Sequence, residues 1–245
     1  FIQKFVLPNN PAAMLFCQRR TGALKKAVQN RTGQCLMTCP TTAVFDGMSE
    51  QTRQRYHLGK WVRFFGDGHQ YEQTRHARAG WVVPVMAGEF FCEADAGYVK
   101  GAGGAALFVC GRDARATLRG AERAVHAIAS MPGIITPFPG GICRAGSKVG
   151  ARHHKLIAAT NDAYCPTLRD HANNETRLRD EVQCVYEIII NGVSEDAVAW
   201  ALGTGAEAEA GEGVIELTTG VHGGKLTGTR LQFDELLRAA ANVQP

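Results

Sequence analysis

Long apolar runs are missing from these 245 residues. None approaches the ~20 residues that a bilayer-crossing helix needs, and no signal peptide is legible. Charge of one sign is scarce as well: 27 Lys and Arg stand against 23 Asp and Glu, for a net charge of +4. The basic residues are scattered (Arg19-Arg20, Lys25-Lys26, Arg152 to Lys155, Arg177 and Arg179). A nucleic-acid binder usually concentrates them on one face, so nucleic acid is not implied. A solvated surface and a pocket for a polyanionic ligand both remain open.

Several site signatures are absent. Cys35-x3-Cys39 has no second cysteine pair or histidine at zinc spacing, so no metal site is expected. Gly101 to Gly104 is glycine-dense, but no lysine follows at the P-loop position, which favours a plain turn. Ser147 lies outside any nucleophile elbow and reads as a loop-capping hydroxyl. His153-His154 lacks further ligand spacing and reads as surface. Asp67, between two glycines, reads as a turn residue. The chain opens on Phe1 rather than on methionine, as a fragment or processed chain would.

What is present describes a globular protein: 45% hydrophobic and 20% charged residues, enough for one large or two small domains with a core. Eight cysteines sit mostly in apolar runs such as Phe90-Phe91-Cys92. They read as reduced core thiols in a reducing compartment.

Along the chain, Ala13–Cys17 reads as a buried strand. Thr21 to Asn30 reads as a short helix, with Thr21 as cap and Gly33 as stop. Gln34 to Thr38 follows as a second strand. Trp61 to Phe65 and Trp81 to Met86 read as two strands joined by a long hairpin. Ala105 to Cys110 is the next strand. Ala114 to Ser130 has helical spacing, with Leu118, Ala121, Val125, Ile128 and Ala129 on one face. Ile134 to Phe138 reads as a strand. Asn161 to Asp180 is polar and loop-like, with room for a short helical piece. Cys184 to Ile190 is the most strand-like run, ended by Asn191-Gly192. Ser194 and Asp196 open a helix to about Ala210, and Val214 to Thr219 closes with a strand.

Met131 to Gly150 draws attention first. A β-branched run meets Pro137 and Pro139 and opens into a glycine-punctuated loop carrying Arg144, Ser147 and Lys148. Glycines let backbone approach a bound group, and the cations favour an anionic one. The strand–helix–strand pattern recurs. One copy ends in Gly140-Gly141, another in Gly223-Gly224, and a shorter third runs from Ala12 to Phe45. Two such units make a ferredoxin-like βαββαβ lobe. Two lobes need four units, so a fourth is expected before residue 1.

Glu187 is the residue most suited to proton chemistry. Alternation puts it with Val185 and Ile189 on one face, and Tyr186, Ile188 and Ile190 on the other. A carboxyl among aliphatic side chains loses hydration, which raises its pKa and fits it to give and take protons near neutrality. A glutamate paired with an arginine, or one at an exposed edge, is the alternative.

Together, Thr41-Thr42-Ala43-Val44-Phe45-Asp46, Phe64-Phe65-Gly66-Asp67-Gly68, Ile134 to Gly141, Gly146-Ser147-Lys148-Val149-Gly150 and Val185-Tyr186-Glu187-Ile188 resemble the formylmethanofuran–tetrahydromethanopterin formyltransferase family in order and spacing, from about Ala12 onward. The resemblance implies an α+β fold of duplicated ferredoxin-like lobes, 1–88 and 89–245. The first lobe would lack about sixty residues. It implies transfer of a formyl group between formylmethanofuran and N5 of tetrahydromethanopterin, in methanogenesis or formaldehyde oxidation. Both coenzymes act as cosubstrates and no metal is required. Glu187 maps onto the family's catalytic glutamate. Thr41, Phe65, Pro139, Gly140, Gly141, Ser147 and Lys148 are the substrate-binding candidates. Arg144, Lys148 and Arg152 are available for anionic tails. The implied assembly is a homotetramer, or a subunit of a formyltransferase/hydrolase complex, in the cytoplasm. A non-catalytic assembly subunit is the alternative, because Ala105 and Val221-His222 replace polar residues of the pattern. Composition suits the bacterial, formaldehyde-oxidising branch.

Overall fold

The structure is a computed structural model that describes residues 2–6, 13–17, 20–48, 52–171, 173–208 and 211–220, with side chains for all but 2–6, 13–17 and 220. The expected loop at 221–228 lies outside the described residues. The fold is mixed α and β, in two compact units, Phe1–Gly101 and Ala102–Pro245. Among the described residues no helix is long and apolar enough to cross a membrane.

The first unit begins with the hairpin β1 (Ile2–Val6) and β2 (Ala13–Cys17), and β1 also pairs with β3 (Phe45–Asp46). Helix α1 (Thr21–Arg31) passes without a break into a π-helical stretch, Thr32–Leu36. This corrects two readings of the sequence. Gly33 does not stop the helix and Gln34 to Thr38 is not a strand. Leu24, Val28, Thr32 and Leu36 recur every four residues and all are buried, so continued helix keeps one apolar stripe facing the core. Nor does Thr21 cap: it is the first helical residue, and Arg20 in the cap position makes no side-chain cap bond.

Trp61 to Phe65 is also helical. It lies in α2 (Leu58–Val62) and the 3-10 turn Arg63–Gly66. Leu58 and Val62, four apart, are buried, while Trp61, Phe64 and Phe65 are 54, 62 and 70% exposed. The true hairpin joins β5 (Tyr71–Arg75) to β6 (Arg78–Val85), and β6 pairs onward with β7 (Gly88–Glu93). Two short strands, β4 (Arg55–Tyr56) and β8 (Ala96–Gly97), form a separate pair. Buried Asp46 ties these pieces together. Its carboxylate accepts from Arg55 at 2.7 Å, Gly97 N–H at 2.9 Å and Met48 N–H at 3.1 Å. Burial still pushes its pKa up, against the hydrogen bonds and the Arg55 charge.

Among its described residues, the second unit is built on a four-stranded antiparallel sheet with two α-helices on one face. Its strands are β9 (Ala102–Gly111), β10 (Ile134–Ile135), β13 (Cys184–Gly192) and β14 (Val214–Gly220), in the order β10-β13-β9-β14. Between β10 and β13 runs a long loop with a small pair, β11 (Lys148–Val149) and β12 (Ala158–Ala159). Helices α3 (Ala114–Ala129) and α4 (Glu195–Ala208) cover the face bearing Leu107, Val109, Ile188 and Ile190. Each fully buried aliphatic there contributes about 1.5–3 kcal/mol. Asp113 caps α3 by accepting from Arg115 and Ala116 N–H, and Ser194 accepts from Ala197 N–H at the start of α4.

Three further expectations shift. The buried face of α3 centres on Ala116, Gly120, Ala121, Ala124 and Ile128, while Leu118 and Val125 are half-buried and Ala129 is exposed. Small residues let the helix lie close: a Cβ on Gly120 would come within 2.7 Å of Val214. Gly103 and Gly104 are not a turn but part of β9, where Gly104 N–H donates to Asn191 Oδ1 at 2.7 Å. Pairing of the Ile134 run stops at Ile135, because the two prolines that follow lack ladder donors.

Candidate active site

β13 is a central strand, so both faces of its β-branched run are covered. Alternation holds as the sequence implied. Ile188 and Ile190 join the core under the helices, while Val185 and Ile189 pack on the opposite face with Phe108, Leu178 and Val182. Glu187 is on this second face and only 3% exposed. It is neither solvent-facing nor at an edge. The cross-strand partner on β9 is Phe108. On its other side Cys143 exchanges both backbone hydrogen bonds with Glu187, at 2.7 and 2.9 Å.

Among the described residues no α-helix covers this face. The polar segment after β12 does, through two 3-10 turns, Asp162–Tyr164 and Pro166–Leu168. Tyr164 packs on Phe108 with ring centroids 4.6 Å apart. Asn174 Nδ2 donates to the carbonyls of Asp162 and Leu168, and Arg169 donates to those of Arg179, Asp180 and Val182. A cavity of about 130 Å³ remains, lined by Glu187, Cys143, Arg144, Gly146, Asn161, Tyr164, Cys165 and Thr167. Burial, then the Asp162 charge, raises the Cys165 pKa, which keeps that thiol neutral. Arg144 is exposed and supplies a cation at the rim. Among the described residues the chamber therefore offers a buried carboxyl, neutral hydrogen-bonding groups and one positive charge.

The Pro139 to Lys148 loop is brought to Glu187 only in part. Pro139, Gly140 and Gly141 form a 3-10 turn; the first two are exposed and Gly141 is buried against Val125 of α3. Cys143 to Gly146 line the chamber, and half-buried Ser147 follows. Lys148 instead donates to both oxygens of Asp162 at 2.6 Å. Thr41 (φ +61°, exposed) and Phe65 belong to the first unit. Sequence reasoning missed Asn161, Tyr164, Cys165 and Thr167. The available signal was an aromatic, Tyr164, and a single proline, Pro166, within a polar stretch. Among the described residues no group of three or more His, Cys, Asp or Glu side chains is placed to hold a metal ion.

Residues 9–85 match the profile of the family described as formylmethanofuran-tetrahydromethanopterin formyltransferase, and residues 88–236 match the one described as FTR, proximal lobe. The chain is 40% identical over 236 residues to the formylmethanofuran–tetrahydromethanopterin formyltransferase of Rhodopirellula baltica, covering 90% of this chain and 70% of that one. It is 38% identical over 245 residues to the protein of the same name from Methanocaldococcus jannaschii, covering 96% and 81%. Among solved structures it resembles the formylmethanofuran:tetrahydromethanopterin formyltransferase of Methanosarcina barkeri (TM-score 0.87, 34% identity, 96% of this chain and 82% of that one). It also resembles the formyltransferase/hydrolase complex (FhcABCD) of Methylorubrum extorquens with methylofuran (TM-score 0.85, 36% identity, 96% and 82%).

Proposed function

Because the chain belongs to the formylmethanofuran–tetrahydromethanopterin formyltransferase family, we propose that it moves a formyl group reversibly between formylmethanofuran and N5 of tetrahydromethanopterin, with Glu187 as the acid–base group. One observation carries the assignment of chemistry: a glutamate 3% exposed, on a central strand, lines a cavity of about 130 Å³ that has Arg144 at its rim. The reaction is amine-to-amine acyl transfer. The attacking nitrogen adds to the formyl carbon and loses a proton, and the leaving nitrogen gains one as the carbon–nitrogen bond breaks. Glu187 takes the first proton and returns the second, so it starts and ends each turnover in the same state. In this reading the buried carboxyl, fixed on its strand, is the group that exchanges protons with the two amines. Holding both coenzymes in one cleft supplies proximity. The chemistry calls for no metal.

The substrate-contact candidates in this reading are Pro139, Gly140, Gly141, Ser147 and Lys148 in the second unit; the first unit carries its own two, Thr41 and Phe65. The finer architecture is two ferredoxin-like lobes dividing at 88/89. Its support is the βαββαβ order of the second unit, with strands β10-β13-β9-β14, and the break between matched regions at 85 and 88. The protein works in the cytoplasm, as a homotetramer or beside hydrolase subunits. The complex of the Methylorubrum relative motivates the latter. Mixing purified protein with formylmethanofuran and tetrahydromethanopterin, and following the pterin absorbance, tests the function. Formylation of the pterin is expected; no change with both cosubstrates intact would instead favour a non-catalytic assembly subunit.

A further inference from the structure

Arg144, Lys148 and Arg152 stand close in sequence, but the structure divides them. Arg144 borders the Glu187 chamber. Lys148 and Arg152 line a second, larger cleft of about 440 Å³. One stretch of chain separates the two spaces. Thr160, Asp162 and Leu168 line the cleft, whereas Asn161 and Tyr164 to Thr167 line the chamber.

Among the described residues the ionised groups lining the cleft are two cations and one carboxylate, Lys148, Arg152 and Asp162, joined by the imidazoles of His153, His154 and His171. Asp162 already sits where an anion would. Lys148 donates to both its oxygens at 2.6 Å, and Arg152 Nη2 lies 3.1 Å from Oδ2. Lys148, first by its hydrogen bond and then by its charge, holds the Asp162 carboxyl below the usual carboxylate range, with Arg152 adding to the effect. The two cations are unequal. Lys148 is 24% exposed and fixed by two contacts; Arg152 is 57% exposed, with one ion-pair contact and a long 3.4 Å bond to the Asn173 carbonyl. An incoming oxyanion can therefore recruit Arg152 and the imidazoles while Lys148 stays on Asp162.

We propose that this cleft is a binding site for a compact multivalent oxyanion, phosphate- or carboxylate-bearing, with Arg152 as its mobile clamp and Asp162 as the built-in competitor for the clamp. The site is distinct from the Glu187 chamber. It rests on the proposed function only for the source of the anion.

Calorimetric titration of the whole chain with inorganic pyrophosphate tests this without either coenzyme. Saturable one-site binding is expected. Arg152→Ala should weaken it about tenfold or more, the size of one charge-assisted hydrogen bond, and Asp162→Asn should tighten it by removing the competitor. Arg152 is largely exposed, so its loss leaves the fold standing, and a matched circular dichroism spectrum checks this. No saturable binding, or binding that neither substitution changes, overturns the proposal. Displacement of pyrophosphate by formylmethanofuran or tetrahydromethanopterin identifies the anion as the charged end of a cosubstrate. Binding undisturbed by both identifies a separate effector. Either result supports the site, and it stands even if no formyl transfer is detected.

Discussion

Cys143 and Glu187 form a complete antiparallel backbone pair, each donating to the other at 2.7 and 2.9 Å. The glycine-punctuated loop thus continues the sheet beyond the two-residue strand β10. The backbone of Glu187 is fixed on both sides, by Cys143 and by Phe108, and its carboxyl has little freedom to search for solvent.

That pairing depends on the turn just before it. Gly141 has φ +76°, and a Cβ there would lie 2.6 Å from Val125 Cγ1 and 2.9 Å from Thr136 Oγ1. Gly140 has φ +62° with nothing within 4 Å. Gly140→Ala should cost about 1–2 kcal/mol for the left-handed backbone alone. Gly141→Ala adds overpacking of about 1–3 kcal/mol and should also lower formyl transfer. Urea unfolding of the two variants checks the order.

Asp162 predicts a pH dependence. Its folded pKa lies below the unfolded one because Lys148 and Arg152 stabilise the carboxylate. The folded state therefore releases this proton more readily. The stabilisation is fully present above the unfolded pKa of about 3.9 and fades as pH falls through the lower folded value. The urea midpoint of the wild type should exceed that of Asp162→Asn at pH 7, and the gap should close on acidification below about pH 4. A gap independent of pH would contradict the ion pair.

In the first unit, Gly80 marks a close approach within β6. A Cβ would meet Phe91 Cζ at 2.4 Å and the Cys92 carbonyl oxygen at 2.6 Å. The ring tip can move, but the ladder carbonyl cannot do so cheaply. Gly80→Ala should destabilise by about 1–3 kcal/mol. Gly22→Ala, in α1 with nothing within 4 Å, should stabilise by about 0.5–1 kcal/mol. Thermal melts of both variants decide the point.

The parts of the molecule legible in the sequence were those where one local signal dominates. Five β-branched or aromatic residues around Glu187 specify β13, and strict alternation specifies which face carries the carboxyl. The misread segments are those where neighbours decide. Trp61 to Phe65 is apolar enough for a strand, yet its aromatics face outward and Leu58 with Val62 do the burying. Tyr71–Arg75 is a strand with no apolar alternation, since both its faces are largely exposed. Gln34 to Leu36 stays helical because Leu36 completes a stripe begun at Leu24. Within the site, Glu187 was readable from its own neighbours. The chamber wall from Asn161 to Thr167 was not, because a polar loop takes its place from tertiary hydrogen bonds such as those of Asn174 and Arg169.

The most direct measurement is formyl transfer by Glu187→Gln, a change that keeps size and shape while removing the exchangeable proton. With an unchanged circular dichroism spectrum and melting temperature, turnover should fall about 10²–10⁴-fold, the usual worth of a general acid–base group. A variant within a few-fold of wild type would show that the buried carboxyl moves no proton and that the chemistry lies elsewhere.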